Sequence, residues 1–188
     1  KYKLMSKEFP SRWDVLEDNL HADCRIFEVY KRRFRRQSDG VESDFFVLDT
    51  NDWVNVLAIT PNDELVLVRQ FRYGTKEYSL EPPGGVIEKG ENPIVAGLRE
   101  LEEETGYVGK DARLIGQARP NAAILSNHCY FVLVEDVHKT AKIAFDEHEE
   151  LLTELYPVQN LKSMVANNEI THSIGLNAIL KLILHRGL

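Results

Sequence analysis

Apolar and polar residues alternate along 24–36 and 42–49, and Ser38-Asp39-Gly40 lies between them. A period of two bounded by turn residues predicts a hairpin. Trp53 to Ile59 and Leu65 to Phe71 are denser apolar runs on either side of Thr60-Pro61-Asn62-Asp63-Glu64, which predicts a second hairpin. Further strands are expected at Ala112 to Ala118, Cys129 to Glu135 and Leu151 to Pro157, then a short helix over 158–167. Ile174, Ala178, Leu182 and Ile183 recur at helical spacing and predict a last amphipathic helix from about Ser173 to His185. Strands, helix, strands and helix in that order imply an α/β fold class of the α+β kind, a mixed sheet flanked by helices.

The helix between the two strand groups has its own start and stop. Asn92 can cap it, Pro93 suits the first helical position, and Gly106 can take the left-handed conformation after the last turn. Ile94, Leu98, Leu101 and Thr105 form its buried stripe. At about 100° per residue, Glu100, Glu103 and Glu104 share a different face. Like charges so close cost roughly 0.2–0.5 kcal/mol per pair, and Arg99 is the one cation in the helix to offset them. A hard divalent cation held by carboxylate oxygens removes that penalty. The plain alternative is a solvated acidic face, which suffices for Glu102. Before the helix, Glu81-Pro82-Pro83-Gly84-Gly85 combines stiffness with glycines that admit a close backbone approach.

Composition narrows the class. The 188 residues are 43% apolar, enough for one domain with a sizeable core and room for an appendage, and no apolar run reaches membrane-spanning length. No signal peptide is visible, and the chain opens at Lys1 without a methionine, so its natural start is expected upstream. Cys24 and Cys129 make no disulfide framework, which suits a reducing cytoplasm. A net charge of −7 speaks against nucleic acid as a partner but not against a diphosphate, because bound divalent ions would make the site itself positive. Lys31-Arg32-Arg33-Phe34-Arg35-Arg36 is the local exception; it reads first as a solvated strand face, and then as an RNA or anion contact. His128 and His148 have no partner at metal-ligand spacing.

Gly85-x5-Glu91-x7-Arg99-Glu100-Leu101-x-Glu103-Glu104-x-Gly106-Tyr107 resembles the signature of the Nudix hydrolases, GX5EX7REUXEEXGU with U a bulky apolar residue, at every defined position. The resemblance implies an α/β/α sandwich over 49–188, preceded by an amino-terminal β extension, 1–48, that mediates a homodimer. It implies Mg2+, with Mn2+ as the alternative, at about two or three ions per site. These would be held by Glu100, Glu103, Glu104 and the carbonyl of Gly84, with Arg99, Glu91 and Gly85 as structural support.

Arg69-Gln70-Phe71-Arg72, the run from Glu81 to Glu91, and Leu125-Ser126-Asn127 are similar to the ADP-ribose and nucleoside diphosphate sugar pyrophosphatases of that family. Pro120 departs from that subgroup by lying slightly early. By the same resemblance, Arg72 and Glu81 would line the substrate pocket, although Arg72 also reads as an ordinary strand-end ion pair. Asp146-Glu147-His148-Glu149-Glu150 resembles the subgroup's closing loop, with Glu147 as general base and Glu149 in the metal shell; in other members the base is the residue here numbered Glu103. Trp13 would stack on the nucleobase, or anchor the extension on its partner.

The expected reaction is metal-dependent hydrolysis of the pyrophosphate of ADP-ribose or another nucleoside diphosphate sugar, giving a nucleoside monophosphate and a sugar phosphate. The alternatives are hydrolysis of nucleoside triphosphates or dinucleoside polyphosphates, and a non-catalytic nucleotide- or RNA-binding module.

Overall fold

The computed structural model describes residues 9–145 and 150–188, and the chain divides into two compact units. One contains the residues up to Thr50 together with Asn121–Ser126; the other contains Asn51–Pro120 and Asn127–Leu188.

The first unit is an antiparallel sheet of β1 (Trp13–Asp23), β2 (Glu28–Arg36) and β3 (Glu42–Asp49) in that order. The apolar pattern marks β3 and most of β2 but not β1, whose acidic residues are poor strand formers taken alone. Pairing supplies what propensity lacks. Asp18 bonds Arg32 at 2.8 Å, Glu42 takes both Arg33 and Arg35, Lys31 meets Asp44, and Arg36 folds back on Asp39. The basic run is thus matched within its own sheet. Residues 121–126 add to this unit through a parallel bridge of Leu125 to Leu48 and a Ser126–Asp49 hydrogen bond.

In the second unit the elements follow as β4 (Trp53–Ala58), β5 (Glu64–Arg72), β6 (Glu77–Glu81), α1 (Pro93–Thr105), β7 (Tyr107–Val108), β8 (Ala112–Ala118), β9 (Cys129–Val134), β10 (His138–Lys139) and β11 (Leu151–Pro157). A 3-10 turn (Val158–Asn160) leads into α2 (Leu161–Ala166), and α3 (Ser173–Arg186) closes the chain. Strand β4 runs parallel to β9, which pairs antiparallel with β8; β5 lies antiparallel between β11 and β6. The short β7 and β10 pair with each other.

The apolar runs are dense because both faces are covered. Val54, Val56, Ala58, Val132 and Val134 pack with Ala96 and Leu101 of α1. The alternate residues Leu57, Phe131 and Leu133 pack with Leu161 and Met164 of α2 and with Ala178, Ile179 and Leu182 of α3. Strands between helices on both sides make the α/β/α arrangement, with α1 on one face.

Candidate active site

The loop after β6 is laid along β4. The Val56 amide donates to the Pro83 carbonyl (2.8 Å), that of Val54 to Gly85 (2.9 Å), and that of Ile87 to Asp52 (2.9 Å). Approach is so close that a Cβ on Gly84 would sit 2.0 Å from the Val54 carbonyl oxygen, and one on Gly85 would sit 2.5 Å from the Glu100 carboxylate. Any side chain there displaces the strand or the carboxylate.

Helix α1 then delivers the acids. Asn92 Oδ1 accepts from the Ile94 amide at 2.9 Å to start it, and Gly106, at φ 71°, donates to the Glu102 carbonyl to end it. The stripe differs from the expected one in a consequential way. Ala96, Gly97 and Glu104 are buried with Leu101 and Thr105, whereas Ile94 and Leu98 are only partly covered. The three carboxylates therefore do not form one exposed patch. Glu104 is 3% exposed and takes the Gly84 amide at 2.9 Å, the Glu100 side chain is 13% exposed, and that of Glu103 is 45% exposed. Glu104 sits inward because the loop amide needs an acceptor there.

Arg99 gathers the remaining acids. Its guanidinium reaches Glu100 at 2.8 Å, Glu91 at 3.1 Å, Glu103 at 3.3 Å and the Val86 carbonyl at 3.2 Å. Arg99 and the Glu88 amide hold the Glu91 carboxyl below its ordinary range. Among the described residues, no three acidic, His or Cys side chains converge as a ready-made metal cage in this arrangement. The donor chemistry still fits a hard cation: oxygen ligands on one helix, beside a glycine kept bare so that Glu100 can occupy the space. Replacing Arg99 by Ala should lower kcat/KM about 10- to 100-fold and also lower Tm, since Glu91 and Glu100, whose side chains are 14% and 13% exposed, lose their cationic partner.

A cleft of about 720 Å³ opens from this loop, lined among others by Gly84, Gly85, Trp53, Arg72, Tyr78 and His172. Arg72, on its wall, forms a bidentate pair with the buried Glu81 at 2.8 and 2.7 Å. Burial pushes the Glu81 carboxyl upward, but the Arg72 bonds and charge, aided by His172, outweigh it and leave the group below its ordinary value. Arg72 is raised in turn, chiefly by the bond to Glu81.

His172 was not among the residues singled out by sequence. Its position before the apolar period of α3 marks an N-cap, yet nothing local signals that it meets Glu81. Glu147 and Glu149 lie outside the described residues. Trp13 belongs to the first unit, where its ring stands edge-on to Phe45 at 5.7 Å and under the Arg36 guanidinium at 5.3 Å. His128 lies near Asp52 at 3.7 Å.

The second unit is an α/β/α sandwich in which a bare glycine loop feeds a carboxylate-bearing helix, with an open cleft beside it. The NUDIX domain profile matches residues 50–173, and the chain belongs to that family. It is 58% identical to an ADP-sugar pyrophosphatase of Mus musculus over 119 residues, covering 60% of this chain and 51% of that one. It is 49% identical to an ADP-ribose pyrophosphatase of Bacillus subtilis (strain 168) over 57 residues, 30% of this chain and 31% of that one. The chain thus spans between about a third and a half of the length of these curated relatives. A crystal structure of an ADP compounds hydrolase has the same fold, with a TM-score of 0.84 at 23% identity over 96% of this chain and 98% of that one.

Proposed function

We propose that the protein hydrolyses the pyrophosphate of ADP-ribose or a related nucleoside diphosphate sugar, with water adding to one phosphorus as the bridging P–O bond breaks to give a nucleoside monophosphate and a sugar phosphate. The observation that carries this reading is the loop–helix unit: Glu100 seated against Gly85, and Glu104 bonded to the Gly84 amide. The Gly84 carbonyl, Glu100, Glu103 and Glu104 are the proposed donor set for Mg2+ or Mn2+. When bound, such ions supply charge neutralisation for the diphosphate and acidify a water. Arg99 and Glu91 keep the donors in place, and Gly85 keeps the space open. Arg72 and Glu81 shape the adjoining cleft.

Glu147 is proposed to take the proton of the attacking water and Glu149 to extend the donor set; Glu103 is the alternative base. The relatives' names, which speak of ADP-sugars and ADP-ribose, point to the same substrate class.

A homodimer through the β1–β3 sheet is proposed on its exposed Val15, Leu20, Phe45 and Phe46. Trp13 is proposed to meet the base from that sheet; unchanged substrate affinity in Trp13→Ala would exclude this. A reducing, cytoplasmic setting agrees with two free thiols, that of Cys129 pushed up to about 12 by burial. No helix among the described residues is long and apolar enough to cross a membrane.

Product identification after incubation with Mg2+ and a panel of nucleoside diphosphate sugars, nucleoside triphosphates and dinucleoside polyphosphates tests the reaction. Monophosphate and sugar phosphate should appear from the sugars. Pyrophosphate released from triphosphates alone would overturn the reading.

A further inference from the structure

Asn55 interrupts the apolar run of β4. Asparagine is depleted in strands, and the face it occupies is otherwise apolar: Trp53 and Leu57 flank it along β4, and Phe131 is its partner in the parallel pairing to β9. The residue is 8% exposed, so a carboxamide has been taken out of water here. Nothing in the described chain offsets that. The Cys129 thiol, a weak donor, lies 3.9 Å from Oδ1, and Nδ2 has no hydrogen-bond partner among the described residues. An orphaned buried amide costs stability, which marks a position kept for something other than folding.

Asn55 lines the cleft of about 720 Å³ with Trp53, Cys129, Ile174 and the two glycines of the loop. Its main chain is covered on both edges, by β9 on one and by the loop bonded to Val54 and Val56 on the other, so the cleft meets the side chain. The loop is close at hand: a Cβ on Gly84 would lie 2.9 Å from the Asn55 Cα. A nucleotide held there by its diphosphate brings its remaining groups onto this wall.

A carboxamide presents a donor beside an acceptor in one plane. The complementary ligand edge has an acceptor beside a donor, and it must sit among Trp53, Cys129 and Ile174 without stranding a charge. Phosphate fails on both counts, being all acceptor and fully charged. A sugar hydroxyl meets the amide at one point and offers no flat face. A nucleobase satisfies both conditions, since its edge carries adjacent donors and acceptors and its face can lie on an indole. The cleft has room for a nucleoside.

We infer that Asn55 is a specificity-determining residue: its carboxamide hydrogen-bonds the edge of the substrate's nucleobase, with Trp53 beside it as a platform for the ring. This rests on the hydrolase reading above.

The test uses Asn55→Ala, which cannot block the cleft, and Asn55→Leu, which keeps the volume, both in the full chain. Calorimetry with Mg2+ measures dissociation constants for AMP, GMP, CMP, UMP and ribose 5-phosphate, and Tm is recorded for each protein. The wild type should prefer one of the four nucleotides. Asn55→Ala should weaken that nucleotide about 10-fold, as two neutral hydrogen bonds would, narrow the spread among the four, and leave ribose 5-phosphate unchanged. Tm should hold or rise in Asn55→Leu, because an apolar group of similar shape replaces an orphaned amide. Unchanged affinity for all four nucleotides in Asn55→Ala overturns the contact. An equal loss for ribose 5-phosphate also overturns it, by placing sugar or phosphate at Asn55, as does a loss that tracks a fall in Tm in both variants. A wild-type protein that binds none of the four nucleotides sinks the hydrolase reading itself, and the contact with it, before any variant is compared.

Discussion

Glu104→Gln should lower kcat/KM about a thousandfold while leaving the fold intact. The side chain is 3% exposed and accepts the Gly84 amide at 2.9 Å. Gln has the same shape and can still accept that bond through its carbonyl oxygen, so loop and helix stay together. What disappears is one full negative charge from the proposed cation-binding set. Charge stabilisation at such a site is worth several kcal/mol, and about 4 kcal/mol corresponds to the stated factor. Steady-state kinetics on the preferred nucleoside diphosphate sugar, paired with a thermal melt, reads both effects. A variant that keeps more than about a tenth of the activity would move the donor role away from Glu104.

The second large effect concerns stability. Arg72→Ala should cost about 3 kcal/mol or more near neutral pH, because the Glu81 side chain is 1% exposed and loses a bidentate partner. The reverse deletion, Glu81→Ala, should cost less: the Arg72 side chain is 43% exposed and water can take over its bonds.

The pH dependence has a definite sign. In the wild type the folded Glu81 lies below its ordinary 4.5, so its contribution is fully present above that value and is lost as the pH falls through the folded value. Without Arg72, burial dominates and raises Glu81 above 4.5, so the buried charge becomes a penalty that protonation relieves. The deficit of Arg72→Ala should therefore shrink as the pH falls from about 7 to about 5. Urea unfolding of both proteins across that range measures it. A deficit that stays constant with pH would show that Glu81 finds another partner.

How much of this was legible beforehand differs from element to element. Helix α1 announces itself because its cap, proline and terminal glycine act within a few residues of one another. Strands β4, β5 and β9 are legible because burial on both faces demands apolar residues at nearly every position. Strand β1 is not, since its acidic residues become strand only opposite the arginines of β2. Strand β6 is equally silent: five residues ending in Glu81 gain their ladder from β5.

The sequence alone determined the spacing of Glu91, Arg99, Glu100, Glu103 and Glu104 around a capped helix, and with it the family, because helix geometry is local and converts spacing directly into direction. Only the tertiary structure decided that Glu104 is buried against Gly84 while Glu103 stays open, and that Arg72, Glu81 and His172 form one group. Burial and ion pairing depend on which distant segments pack together, and residues on β5, β6 and the start of α3 carry no local trace of one another.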